Sequence, residues 1–237
     1  MARQAFLRKK HMEKHLGSSG WRDFILGWQD GLVNVLGVTL GVATATSDLK
    51  IILTAAFAAT FAESISMGAV AYTSFTAEAD FYQSERNKEA REIKDVPDEE
   101  KKEIRKIYSQ LGFKGSLLNT VVEHIVSNKK RWLDVMMAQE LKLSAPKRSP
   151  LHIAWIVGLS ALIGSLIPIF PFFFLPVHVA VWTSLVLSSV ILFFVGAYKA
   201  KTTVGSPWKS GLQMMLIGML AALAGFGIGA LFGVAVH

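Results

Sequence analysis

Apolar residues run almost unbroken through five stretches of this 237-residue chain, roughly 24–46, 51–77, 151–174, 176–199 and 210–236. Each reaches the ~20 residues a helix needs to cross a bilayer. The pattern predicts an all-α integral membrane protein with five transmembrane helices. Between the second and third stretches the pattern changes: over 78–150, charged and apolar positions alternate at helical spacing. No polar break separates the second span from Glu78–Ile93, so that helix is expected to continue out of the membrane until Val96-Pro97 ends it. Asp98 is placed to cap a second helix, Gly112 to stop it, and two more runs follow over 115–127 and from Asn128 to Leu143. SAPKRSP (144–150) leads back to the membrane. The expected organisation is an N-terminal segment 1–23, transmembrane helices 1 and 2 over 24–77, a cytoplasmic helical bundle inserted over 78–150, and helices 3–5 over 151–237.

Composition sharpens this picture. Apolar residues make up 51% of the chain and mean hydropathy is +0.38, beyond the soluble range. There is no cysteine, which excludes disulfides, thiolate metal ligands and cysteine nucleophiles. The net charge of +7 invites a nucleic-acid reading, but its distribution reports topology. Of 25 Lys and Arg, six lie in 1–23, fifteen in 78–150, three in 199–209, and the last is Lys50. With a cytoplasmic N-terminus, five spans place the three rich segments on the cytoplasmic side. The basic segment 1–23 is then cytoplasmic, 24–46 reads as a retained helix with no cleavage site after it, and no nucleic-acid partner is expected.

Glycines four apart, Gly37 and Gly41 in the first span and Gly225, Gly229 and Gly233 in the fifth, suit close helix approach, within one subunit or between two. The aromatic stretch IFPFFFLP (169–176) reads as a hairpin at the membrane interface.

Charges inside the spans carry the chemistry. The cores of spans 3, 4 and 5 hold no Asp, Glu, Lys or Arg, whereas span 1 carries Asp30 and span 2 Glu63. A carboxylate in hydrocarbon is costly unless paired, neutralised or facing water, so each marks a functional position. Asp30 and Asn34 share a helix face, as do Glu63 and Met67. Asp30 lies roughly 7 Å to the cytoplasmic side of its span's middle and Met67 roughly 4–5 Å to the same side of its own. Carboxylate and amide oxygens with a thioether sulfur suit a borderline transition metal better than Mg2+ or Ca2+. The competing readings are a protonated acid bonded to a neighbouring helix and a methionine that only packs.

In the 78–150 segment, the stripes Tyr82–Glu85–Glu89–Glu92, Glu100–Ile104–Ile107–Leu111 and Trp132–Met136–Glu140–Leu143, with Glu103 four before Ile107, put Glu100, Glu103 and Glu140 on the faces by which the helices should pack. Inward carboxylates need a counter-charge, and a bound cation supplies one. This makes 78–150 a candidate metal-binding domain. No Glu-x-x-His pair, Ser/His/Asp set, P-loop or dinucleotide motif is present, so neither an enzyme nor an organic cofactor is indicated. Transport would then draw on an ion gradient.

Asp30-Gly31-Leu32-Val33, then Glu63-Ser64-Ile65-Ser66-Met67, then Trp132 followed by Met136-Met137-Ala138-Gln139-Glu140-Leu141, occur here in an order that resembles the vacuolar iron transporter family. The resemblance runs from about Trp28 to the C-terminus. It implies a homodimer in the lipid bilayer that exchanges Fe2+, or Mn2+, for protons and moves the metal out of the cytosol. The membrane would be vacuolar or another organelle's in a eukaryote, and the cell membrane in a prokaryote. The resemblance puts the pore aspartate on Asp30 and the pore methionine on Met67. It puts the loop ligands on Glu89, Glu92, Glu100, Glu103, Met136 and Glu140. The chain departs from the family at Val70-Ala71, Ala59 and Met137, where family carboxylates are missing, and Glu63 stands one turn from Ala59. The runner-up reading is a membrane metal sensor or scaffold that does not conduct the ion.

Overall fold

The computed structural model describes residues 2–146, 148–202 and 205–233, among which every regular element is helical. Eight helices follow one another: α1 (Ala2–Ala45), α2 (Leu49–Asp95), α3 (Pro97–Gln110), α4 (Gly115–Val126), α5 (Lys129–Val135), α6 (Pro150–Ile169), α7 (Val177–Thr202) and α8 (Pro207–Gly233). A π turn, Met136–Glu140, extends α5, and a 3-10 turn, Phe170–Phe173, extends α6. Five helical segments are long and apolar enough to span a bilayer, within α1 (Gly20–Ala45), α2, α6, α7 and α8. The chain divides into two compact units, residues 1–72 with 149–237, and 73–148.

In the membrane unit, α1 is the central helix. Its Trp28, Leu32 and Val33 pack against Leu192 of α7 and Met214 of α8. Its Val35 packs with Ala56 of α2 and Ile169 of α6. Glycine makes the approach close on two sides. A Cβ on Gly27 or Gly31 would overlap the backbone oxygen of Val157 or Ala161 in α6. On the other side, Gly225 and Gly229 of α8 lie against the backbone of Gly37 and Gly41. The two glycine rows anticipated from spacing therefore face each other within one chain. Ser64 on α2 donates to the Gly158 carbonyl of α6 at 2.7 Å, which fixes the rotation of α2. Asp48 caps α2 by accepting from the amides of Lys50 and Ile51.

The second unit is built on the cytoplasm-expected part of α2 with α3, α4 and α5. Its core holds Ile93, Ile104, Leu118, Val122, Ile125, Trp132 and Met136. Pro97 occupies the first turn of α3 and Val96 takes the capping position, so Asp98 falls inside the helix and does not cap it. Proline's fixed φ already suits a first helical residue and its missing N–H costs nothing there. Gly112 does end that helix, at φ +97°. Asn128 caps α5, accepting from the Arg131 amide at 3.0 Å. The helix expected to run from there to Leu143 stops earlier, because the π turn gives way to Lys142 at φ +54°.

Candidate metal sites

Two groups of candidate ligands are assembled, one in each unit. In the membrane unit, Ser64 faces α6, so Glu63 and Met67, a residue before it and three after, turn to a different side of α2. There the Glu63 carboxyl lies within hydrogen-bonding reach of both Asp30 and Asn34 of α1. Asp30, Glu63 and Met67 are half-buried, while Asn34 and Ser66 are exposed on the surface of the single chain. Two acids and a carboxamide thus share one neighbourhood in the apolar spans, with a thioether one turn along α2. Asn34 was legible as Asp30's companion from the four-residue spacing; its contact with Glu63 depends on how α1 and α2 meet, which spacing does not encode.

In the second unit, Glu89 of α2, Glu100 of α3 and Glu140 of the π turn each bring a carboxylate oxygen within 4.8 Å of the others. Two oxygens on opposite sides of one ion at bond lengths of about 2.0–2.6 Å stand about 4–5 Å apart, so the three fit a single cation. Glu89 and Glu100 are buried, at 4% and 6% exposure, and each keeps one buried oxygen without a hydrogen-bond partner. Burial pushes the Glu89 carboxyl up to about 8, helped by its hydrogen bond to Glu100 and the charges of Glu100, Glu140 and Glu92. Burial also raises Glu100, as do the charges of Glu103 and Glu92, against the hydrogen bond from Glu89 and the pull of Lys88. Glu140, though exposed as a residue, is pushed up to about 7 by partial desolvation of its carboxyl, by the charge of Glu103 and by a hydrogen bond to it. In this state Glu89 holds a proton and donates it to Glu100, and protons do the work a cation would do. Glu103 therefore adjoins the cluster through Glu140, and Glu92 through its charge. Met136 is fully buried in the core with Ile93 and Ile104, the residues one turn along from Glu89 and Glu100. Of the nearby cations, Arg86 pairs with Asp134 at 2.9 Å and Lys101 with Glu123 at 2.6 Å, while Lys88 reaches Glu92 at 4.0 Å.

The VIT family's sequence profile matches residues 21–230. Among curated proteins, the chain is 37% identical to vacuolar iron transporter 2 of Oryza sativa subsp. japonica, over 95% of this chain and 93% of that one. It is 36% identical to vacuolar iron transporter 1 of Tulipa gesneriana, over 93% and 90%. With vacuolar iron transporter 1 of Oryza sativa subsp. japonica it shares 37% identity, over 92% and 88%.

Proposed function

The chain belongs to the VIT family, and from that footing we propose that it carries Fe2+ or Mn2+ out of the cytosol in exchange for protons, as a homodimer. The observation that carries this reading is the Asp30–Glu63–Asn34 group, two acids facing each other inside apolar spans. A cation between them would replace the proton the pair otherwise needs, so metal and proton compete for the same oxygens. That competition is the elementary step of antiport. Met67 adds a soft donor that favours a transition metal over Mg2+ or Ca2+.

Exposure supports the second copy. Asn34 and Ser66 lie open on the surface of one chain, beside half-buried Asp30 and Glu63. Polar groups facing hydrocarbon are costly, about 2.5–3.5 kcal/mol for a charged residue at a helix centre. A partner laid over this face would enclose the polar groups as a path between the subunits. The unit 73–148 is read as a cytoplasmic metal-binding domain, in which Glu89, Glu92, Glu100, Glu103 and Glu140, with Met136, concentrate the ion. The N-terminus lies on the same side, and the membrane is an organelle's in a eukaryotic host or the cell membrane in a prokaryotic one. No organic cofactor takes part.

Purified protein in liposomes, given an outward or inward proton gradient, tests the proposal. Metal uptake should follow the gradient and acidify or alkalinise the lumen in step. Metal binding with no flux under either gradient would overturn transport in favour of a sensor or scaffold.

A further inference from the structure

Glu140 reaches the carboxylate cluster through an irregularity in its helix. Over Met136–Glu140 the backbone widens from α to π bonding, with the Leu141 amide donating to the Met136 carbonyl at 3.2 Å. An α-helix turns about 100° per residue. One extra residue in a turn sets everything after it back by about that angle, so Glu140 stands where residue 139 of an uninterrupted helix would stand. Trp132 and Met136 are four apart and both buried. In a regular helix Glu140 would drift about 80° from Trp132, whereas the π turn draws it back over the same line. The turn then closes at once: the Leu143 amide donates to the Met137 carbonyl at 2.9 Å, and Lys142 takes a left-handed conformation at φ +54°. A lysine there is unusual, so the surrounding structure holds this ending in place. The cluster it serves is marked independently, by the buried and unpartnered oxygens of Glu89 and Glu100.

We infer that the π turn Met136–Glu140 is a positioning device whose extra residue places the Glu140 carboxylate against Glu89 and Glu100, completing a three-carboxylate cation site. Glu89 and Glu100 are buried and Glu140 is exposed. The two on regular helices form the fixed floor of the site, and the one on the π turn is its outer, exchangeable ligand. The inference rests on the metal-capture reading above.

The test uses the full chain in nanodiscs, with Asp30→Asn and Glu63→Gln introduced to silence the membrane group, and Mn2+ titrated while free Mn2+ is read by electron paramagnetic resonance. Two variants are compared with this parent. The exchange Gln139→Glu with Glu140→Gln keeps composition and charge but turns the carboxylate about 100° away. Deletion of Gln139 removes the extra residue and lets an ordinary helix present the same carboxylate in nearly the same place. The exchange should weaken Mn2+ binding on the order of tenfold or more, the usual loss when ligand positioning fails. The deletion should stay within about threefold of the parent, below the tenfold positioning loss. Melting curves confirm that each variant is folded. Parent-like binding by the exchange variant, or a deletion as harmful as the exchange, would overturn the inference while leaving metal capture standing. A parent that binds no Mn2+ would overturn both.

Discussion

Asp30 and Asn34 of α1 both lie within hydrogen-bonding reach of the Glu63 carboxyl. Removing either charge should act on different things. Asp30→Asn keeps size and loses the anion, so flux should fall by at least about tenfold in well-folded protein, a barrier change of about 1.4 kcal/mol. Near-normal flux would remove Asp30 from the path. Glu63→Gln should flatten the dependence of flux on the proton gradient more than it lowers the flux itself; an unchanged dependence would leave Asp30 as the only coupling acid of the pair. Met67→Leu separates ligation from packing because volume is conserved. Co2+ flux should fall more than Mn2+ flux if sulfur is a ligand, and equal rescue of both would make Met67 packing only.

The carboxylates of the second unit make a different prediction, about pH. Glu89 titrates near 8 and Glu140 near 7, both raised from the ordinary carboxylate value of 4.5, chiefly by burial. A raised pKa means the folded state holds protons that the unfolded state has released. Its stabilising share is complete below about 4.5 and disappears as pH rises through 7 to 8. The metal-free unit should therefore melt progressively lower across that window, and Mn2+ should restore the melting temperature most at its alkaline end. Glu100→Gln should raise the metal-free melting temperature near pH 8 while weakening the restoration. A metal-free melting temperature that climbs from pH 6 to 8 would contradict the protonated-cluster picture.

At the scale of elements, helix existence was legible because each cause is local. Five apolar runs, Pro97 after Val96, Gly112 at positive φ and Asn128 as a cap all act within one turn of themselves. The errors have the same character. Asp98 lost the cap to Val96 because proline preferred the first helical turn. The π turn had no signal, since Met-Met-Ala-Gln-Glu is ordinary helix-forming sequence. Likewise the spacing of Gly37 and Gly41 showed that something approaches α1 closely, but not whether it was another copy or α8 of the same chain. Now that Gly225 is seen against the Gly37 backbone, Gly225→Val should part α1 from α8 and lower thermal stability by several degrees, as overpacking of about 1–3 kcal/mol would. Gly227→Val, where a Cβ meets nothing within 4 Å, should leave the melting temperature close to the parent's.

For the whole molecule, what remains uncovered decides the assembly. The α1–α2 face offers Asn34 and Ser66 to the bilayer, whereas the outward faces of α7 and α8 offer Trp182, Val186, Phe194, Leu220 and Leu223, which lipid accepts. The two-fold partner proposed above should therefore sit on α1 and α2, and a closed two-fold contact brings equivalent residues near the axis together. The chain contains no cysteine, so an introduced thiol is unique. Ser66→Cys, on the exposed polar side of α2, should form a disulfide-linked dimer under mild oxidation in native membranes. Trp182→Cys, 66% exposed on α7, should stay monomeric under the same treatment. The band shift on a non-reducing gel reads both. Cross-linking at position 182 without cross-linking at 66 would move the partner to α7, and would leave Asp30 and Glu63 to be enclosed by something other than a second copy.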